Sequence, residues 1–268
     1  MHIPKQYASE GYVAPIEAFS AEQAAHYRDC LESHQAEHGP LSGAERNNPH
    51  LLFTWADEII RSPAILSAVE AIYGGNLLVW GSTLFIKEAD DPAFISWHQD
   101  STYWGLEPAD LLTAWIAISD SKADNGALRI VPGSHEWDQI AHRDTFAEGN
   151  MLSRGQEIAV EVREEQAKTL ELEPGQMSLH HVRMVHGSQA NRSNRRRIGL
   201  AVRYLPTHVR PKSGSGDSAT LVSGVDRFNH FEPERRPLND FGDAERAFHA
   251  EVEARTQDII MRGVEPAK

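Results

Sequence analysis

Between residues 77 and 204 the chain is broken into short apolar runs, each stopped by Gly, Pro, Asn or Asp before it reaches helical length. That punctuation constrains the fold more than any other feature, because runs of about four to eight residues bounded by turn formers close strands and cannot sustain an amphipathic helix. Eight strands are predicted, over 77–88, 94–100, 111–118, 128–131, 156–162, 169–172, 176–182 and 198–204. So many short strands imply a sandwich or barrel.

Helices flank this core. Ser20 with Gln23 makes a capping box ahead of Ala24, Tyr27 and Leu31, and Ser62-Pro63 opens a second helix through Ile65, Leu66, Val69 and Ile72 to Gly74-Gly75. Residues 211–237 are rich in Gly, Ser, Asp, Arg and Pro without periodicity, and a closing helix is predicted over about 243–260. The expected organisation is one domain over 1–268: a helical part at 1–76, the β core at 77–205, and a loop with a C-terminal helix at 206–268. The fold class is mainly β with flanking helices.

Composition narrows the partners. With 26 Lys+Arg against 39 Asp+Glu the formal charge is −13, a field that repels polyanions, so neither nucleic acid nor a membrane surface is expected as a partner. Apolar residues make up 40%, enough for a core, yet no apolar stretch approaches the ~18 residues of a membrane span. The single cysteine, Cys30, excludes an intrachain disulfide and a thiolate metal site. Met1-His2-Ile3-Pro4-Lys5-Gln6 lacks the basic-then-apolar pattern of a secretory leader, so a cytoplasmic location is expected. Nothing in the sequence marks an oligomeric state. One basic cluster stands out: Arg192, Arg195, Arg196, Arg197, Arg203 and Arg210. It reads as a nucleic-acid patch, a solvated face, or arginines pointing into a pocket.

The chemistry concentrates at Ile95-Ser96-Trp97-His98-Gln99-Asp100. On a strand, residues two apart share a face, so His98-x-Asp100 sets an imidazole beside a carboxylate. Alone, such a pair also reads as an exposed hydrogen-bonded couple. A third ligand is supplied by Met184-Val185-His186-Gly187-Ser188, a second β-like run, followed by the polar turn Asn191-Arg192-Ser193-Asn194 and by Arg197 in the next strand. The hairpin is expected to return Arg197 toward His186. Two histidines and one carboxylate form a facial triad that leaves three positions of an octahedral ion open and suits non-haem Fe(II). A bidentate 2-oxo acid and O2 fill those positions, with a planar arginine fork on the far carboxylate.

His98-x-Asp100, then Asn125-Gly126-Ala127-Leu128, Pro132-Gly133-Ser134-His135, His186-Gly187-Ser188, Asn191, Ser193 and Arg197, in this order across 77–205, resemble the phytanoyl-CoA dioxygenase family of Fe(II)/2-oxoglutarate-dependent oxygenases. The resemblance implies a double-stranded β-helix core of jelly-roll, cupin-like form. It implies Fe(II) on His98, Asp100 and His186, and 2-oxoglutarate on Arg197 with Ser188 and Trp115. Halogenating members carry a small residue in place of the metal carboxylate, so Asp100 implies hydroxylation without halogen transfer.

Other polar groups read as structural. His180 shares a face with His186 if the run stays extended, but a turn near Arg183 cancels that alternation; His135 fixes a loop, and Asn125-Gly126 is a strand-to-strand turn. Arg192, Arg195 and Arg196 fall on the solvated turn. For the substrate, Tyr103 and Trp104 follow Asp100 as an aromatic wall, and residues 141–156, with Arg143 and Arg154, form a lid. Arg203 is expected toward the other barrel end. The expected reaction oxidises an aliphatic C–H of a small, polar, anionic or zwitterionic metabolite, releasing succinate and CO2. The competing readings are a non-redox metal-binding β-helix that senses or carries a ligand, and a cupin-type isomerase or lyase. Arg197 beside an intact triad discriminates, since neither alternative needs it.

Overall fold

Two sheets enclose a cavity lined from both. The computed structural model describes residues 2–152, 154–160, 162–212, 214 and 216–260. The larger sheet has seven strands in the order β1 (Tyr12–Glu17), β10 (Gln176–His181), β5 (Leu112–Ala117), β12 (Arg197–Pro206), β2 (Leu77–Lys87), β14 (Ser218–Ser223) and β15 (Glu232–Pro233). The smaller has four: β3 (Ile95–His98), β11 (His186–Ser188), β6 (Leu128–Ile130) and β9 (Lys168–Leu170). Two short antiparallel pairs complete the set, β4 (Leu106–Glu107) with β13 (Arg210–Pro211), and β7 (His142–Asp144) with β8 (Gln156–Ile158).

The long strand β12 shows how sequence sets this architecture. Its even positions, Ile198, Leu200, Val202 and Tyr204, are buried in an apolar cluster with Ile59, Ile60, Ile65 and Val69. Those four come from the helices α3 (Thr54–Ile60) and α4 (Pro63–Tyr73), which with α2 (Ala21–His38) cover the outer face of the larger sheet. Its odd positions read Arg197, Gly199, Ala201 and Arg203, and point the other way, between the sheets. Strict alternation with both faces covered explains why β12 is buried almost throughout.

Each of the eight expected strands overlaps an observed one, although 156–162 is strand only at β8, and residue 161 lies outside the described residues. The helical reading of the first 75 residues needs one correction. The helix α1 (Ile3–Glu10) stops at Gly11, whose φ of +77° is left-handed, and β1 follows. Tyr12 and Val13 are buried there by pairing with β10, a partner too distant in sequence for local periodicity to register. The Ser20–Gln23 capping box is present on α2, and the last helix, α6 (Asp243–Ile260), lies where expected. The remaining helix, α5 (Ser101–Trp104), is a single turn beside the site. Among the described residues no helix is long and apolar enough to cross a membrane.

Candidate active site

His98 ends β3 and pairs in register with His186 on β11, which brings the imidazoles together across the ladder with ring centroids 4.0 Å apart. Asp100 completes the group. The strand stops at His98, and Asp100 takes a right-handed helical conformation at the head of α5, so the shared face expected from strand alternation arises instead from a turn. Gln99 holds that turn: its N–H donates to His142 Nε2 at 2.9 Å, its amide donates to the Arg183 carbonyl at 2.9 Å, and its Oε1 accepts from Ile140 N–H at 2.9 Å.

The donor geometry fits a metal. Nδ1 of His98 lies 2.9 Å from the Ser96 carbonyl and Nδ1 of His186 lies 2.9 Å from the Met184 carbonyl. Donating there leaves each ring's lone pair on Nε2, directed at the third ligand. Those Nε2 atoms stand 3.3 and 3.9 Å from Asp100 Oδ1, and the ligand atoms of all three residues lie within 4.8 Å of one another. Burial and the neighbouring His98 push His186 well below its ordinary pKa, keeping it in the neutral form a metal needs. Burial raises Asp100, but His186, His98 and Arg203 outweigh it and hold the carboxyl below its usual range. Two imidazoles and one carboxylate are the donor set of a non-haem Fe(II) site.

Across the cavity stands Arg197, 1% exposed. Its Nη1 donates to the Gly126 carbonyl at 2.5 Å, while Nε and Nη2 have no partner. The guanidinium lies 5.3 Å from the Trp115 ring centroid, and Gly199 makes room for that indole, because a Cβ there would overlap it. Ser188 Oγ donates to the Gly126 carbonyl at 2.6 Å and lies 3.4 Å from Arg197 Nη1. Gly126, at φ +81°, has no room for a Cβ against Gln189 and Lys87, and its carbonyl accepts from both Arg197 and Ser188. Arg197 does not come back on a hairpin partner of β11. The two strands belong to opposite sheets, joined by a turn that Asn191 clamps through bonds to the Glu88 and Arg195 carbonyls, and the residues meet across the barrel.

The cavity is lined by His98, Asp100, His186, Ser188, Arg197 and Trp115 together, and also by Trp80, Trp104, Arg203 and Glu253. Trp104 packs against Trp80 with ring centroids 5.2 Å apart and the planes tilted by 43°; the Tyr103 side chain lies outside the described residues. From the 141–156 segment, Met151, Leu152 and Gln156 line the cavity. Arg143 is exposed on β7, and Arg154 is bonded to Asp144, Nε at 2.9 Å, bracing the β7–β8 hairpin; neither lines the cavity. Arg203, expected toward the other barrel end, lines the same cavity as the triad, and its charge acts on Asp100. His180 also lines it, 4.8 Å from the His186 ring, with both ring nitrogens unpartnered and its pKa lowered by burial to about 4. His135 binds the Ala8 carbonyl at 3.1 Å, a loop contact.

Two groups have no counterpart in the sequence reading. Lys87, 0% exposed, donates to Ser188 Oγ at 2.7 Å and to the Gln189 carbonyl, and its pKa falls to about 7 through burial and the charge of Arg197. A lone lysine ending an apolar strand carries no motif. Glu253 reaches the cavity from α6, bonded by Asn48 Nδ2 at 2.7 Å and Asn47 Nδ2 at 3.3 Å. Its place depends on a long-range docking that no local pattern encodes.

A triad of this donor set, facing a buried arginine across a β-barrel cavity, defines an Fe(II)/2-oxoglutarate-dependent dioxygenase, and its carboxylate ligand makes it hydroxylase-type rather than halogenating. The phytanoyl-CoA dioxygenase (PhyH) family model matches residues 7–199, and the chain belongs to this family. A probable alpha-ketoglutarate-dependent hypophosphite dioxygenase of Stutzerimonas stutzeri is 29% identical over 247 residues, covering 82% of this chain and 85% of that protein. The apo structure of the non-heme monooxygenase ThoJ superposes with a TM-score of 0.84 at 34% identity, covering 96% of this chain and 97% of ThoJ. CytC3 with Fe(II) and alpha-ketoglutarate, at 24% identity, TM-score 0.65 and coverage of 90% and 94%, shares the fold.

Proposed function

We propose that this dioxygenase oxidises an aliphatic C–H bond of a small polar metabolite, with His98, Asp100 and His186 holding Fe(II) and Arg197, Ser188 and Trp115 holding 2-oxoglutarate. Bound there, the metal and its co-substrate supply the activation of O2, with 2-oxoglutarate leaving as succinate and CO2.

Arg197 carries this reading. A desolvated guanidinium with two unpaired nitrogens is costly, and burial lowers its pKa to about 10. A carboxylate arriving from the cavity offsets that cost and accepts from the planar fork. Lys87 adds a second donor behind Ser188, and Trp115 walls the pocket against water. Trp104 beside Trp80 gives the substrate an aromatic wall. Arg143 and Arg154 leave the substrate role assigned to them by sequence: one faces solvent, the other is committed to Asp144. The small anion in the name of the S. stutzeri relative is in keeping with a polar cavity.

A screen of metabolite pools with purified, Fe(II)-loaded protein tests this. The expected result is 2-oxoglutarate- and O2-dependent succinate release, stimulated by a small polar compound that gains one oxygen atom. Stimulation confined to long-chain acyl thioesters, or no succinate at all, overturns it.

A further inference from the structure

Arg197 and Arg203 face one cavity from the same strand, with only Gly199 and Ala201 between them on that face. Six residues of strand separate them by about 20 Å at ~3.3 Å per residue, too far for one small dicarboxylate to engage both. 2-Oxoglutarate on Arg197 therefore leaves Arg203 without an acid. Nη1 of Arg203 donates to Thr83 Oγ1 at 2.6 Å, the guanidinium lies 5.5 Å from the Trp104 centroid, and its buried Nε has no partner. Among the described residues no carboxylate reaches ion-pair distance of it. A neutral hydroxyl and an aromatic face are its only direct partners among those residues, and the charges of Asp100 and Glu253 act on it from beyond ion-pair distance, so the desolvated cation is not fully balanced.

The opposite charge lies close by, reached from Arg203 through Thr83 and Asn47. Glu253 of α6 is buried, lines the same cavity, and is fixed by one amide on each carboxylate oxygen, Asn48 on Oε1 and Asn47 on Oε2. Each oxygen keeps a lone pair. Asn48 is itself anchored by Ser82 N–H at 3.1 Å, so the acid is held on a rigid base. A cation and an anion lining one cavity, coupled by charge but not in ion-pair contact, match a ligand that carries both signs.

We propose that Arg203 anchors an oxyanion of the primary substrate and Glu253 receives its ammonium group, so that the substrate is a zwitterion of amino-acid type. This rests on the dioxygenase reading of the cavity, and it assigns the two residues that select the substrate.

The test uses Fe(II)-loaded protein with three matched sets: L-amino acids, the corresponding amines without the carboxylate, and the corresponding acids without the amine, with hypophosphite as an inorganic oxyanion. Succinate formed above the rate with no added compound is the readout. Amino acids are expected to stimulate and amines are not. R203Q raises the KM of the best amino acid at least about tenfold, R203K recovers part of that loss, and R197Q acts instead on the 2-oxoglutarate KM. E253Q weakens amino acids more than plain acids. In metal-free protein, quenching of tryptophan fluorescence by the same amino acid, through Trp104 under Arg203, is weakened by R203Q. Amines matching amino acids, stimulation by hypophosphite alone, an unchanged KM in R203Q, or no stimulating compound overturns the assignment. Slow conversion of 2-oxoglutarate to succinate without any added compound distinguishes the failures: if it persists, the substrate assignment alone falls; if it is absent, the dioxygenase reading falls and takes the assignment with it.

Discussion

Lys87 Nζ donates a hydrogen bond to Ser188 Oγ at 2.7 Å, which places an ammonium group directly behind the wall that Arg197 shares. Burial and Arg197 depress this lysine from 10.5 to about 7, so near neutrality it is half charged in the ligand-free protein. An incoming dianion favours the charged form, and binding above pH 7 must take up a proton. The affinity for 2-oxoglutarate therefore weakens as pH rises above about 7 and levels below it; K87M removes this slope and weakens binding by about tenfold at pH 6.5. Titrations of 2-oxoglutarate from pH 6 to 9 check this.

The same group affects stability in the opposite sense. Between pH 7 and 10.5 the unfolded chain binds the proton and the folded one does not, so stability without ligand rises with pH across this window and is flat below it. Denaturant unfolding of wild type against K87M reads the difference, and identical pH profiles would show that Lys87 does not titrate there.

His180 and His186 differ in what their rings face. His186 spends Nδ1 on the Met184 carbonyl and turns Nε2 to Asp100, while His180 has neither nitrogen engaged. H186A and D100A are expected to lose stoichiometric Fe(II) binding; H180A keeps it. Metal content after anaerobic loading and desalting decides, and the reverse pattern would move the ligand assignment.

Gly199 faces the Trp115 indole with no space for a methyl group. G199A is expected to lower stability by about 1–3 kcal/mol through overpacking and, by displacing Trp115, to raise the 2-oxoglutarate constant. Unchanged values for both would show that the indole moves freely.

Local chemistry was readable where it lay in short, ordered motifs. The His98-x-Asp100 pair, His186-Gly187-Ser188 and Arg197 sit on or beside strands whose boundaries Gly, Pro and Asn declare, and alternation along β12 already set Arg197 and Arg203 on one face. What depends on packing at a distance was not readable. The turn that carries Asp100 off the strand is held by Gln99 and His142, and β1 is a strand only because β10 pairs with it. Glu253 joins the cavity through α6 docking on Asn47 and Asn48. Arg143 and Arg154 looked like ligand-binding cations because a sequence does not show that Asp144 lies within reach of one and that the other turns to solvent.

Anaerobic addition of Fe(II) and then 2-oxoglutarate, followed by visible absorption, tests the central claim most directly, because a metal-to-ligand charge-transfer band appears only when the 2-oxo acid chelates iron on the protein. Wild type is expected to develop the band with saturating 2-oxoglutarate, H186A to show none, and R197Q to require at least about tenfold more co-substrate, since removing one partner of a desolvated charge pair costs about 2–5 kcal/mol. A wild-type protein without the band, or an R197Q titration that overlays wild type, would contradict the account.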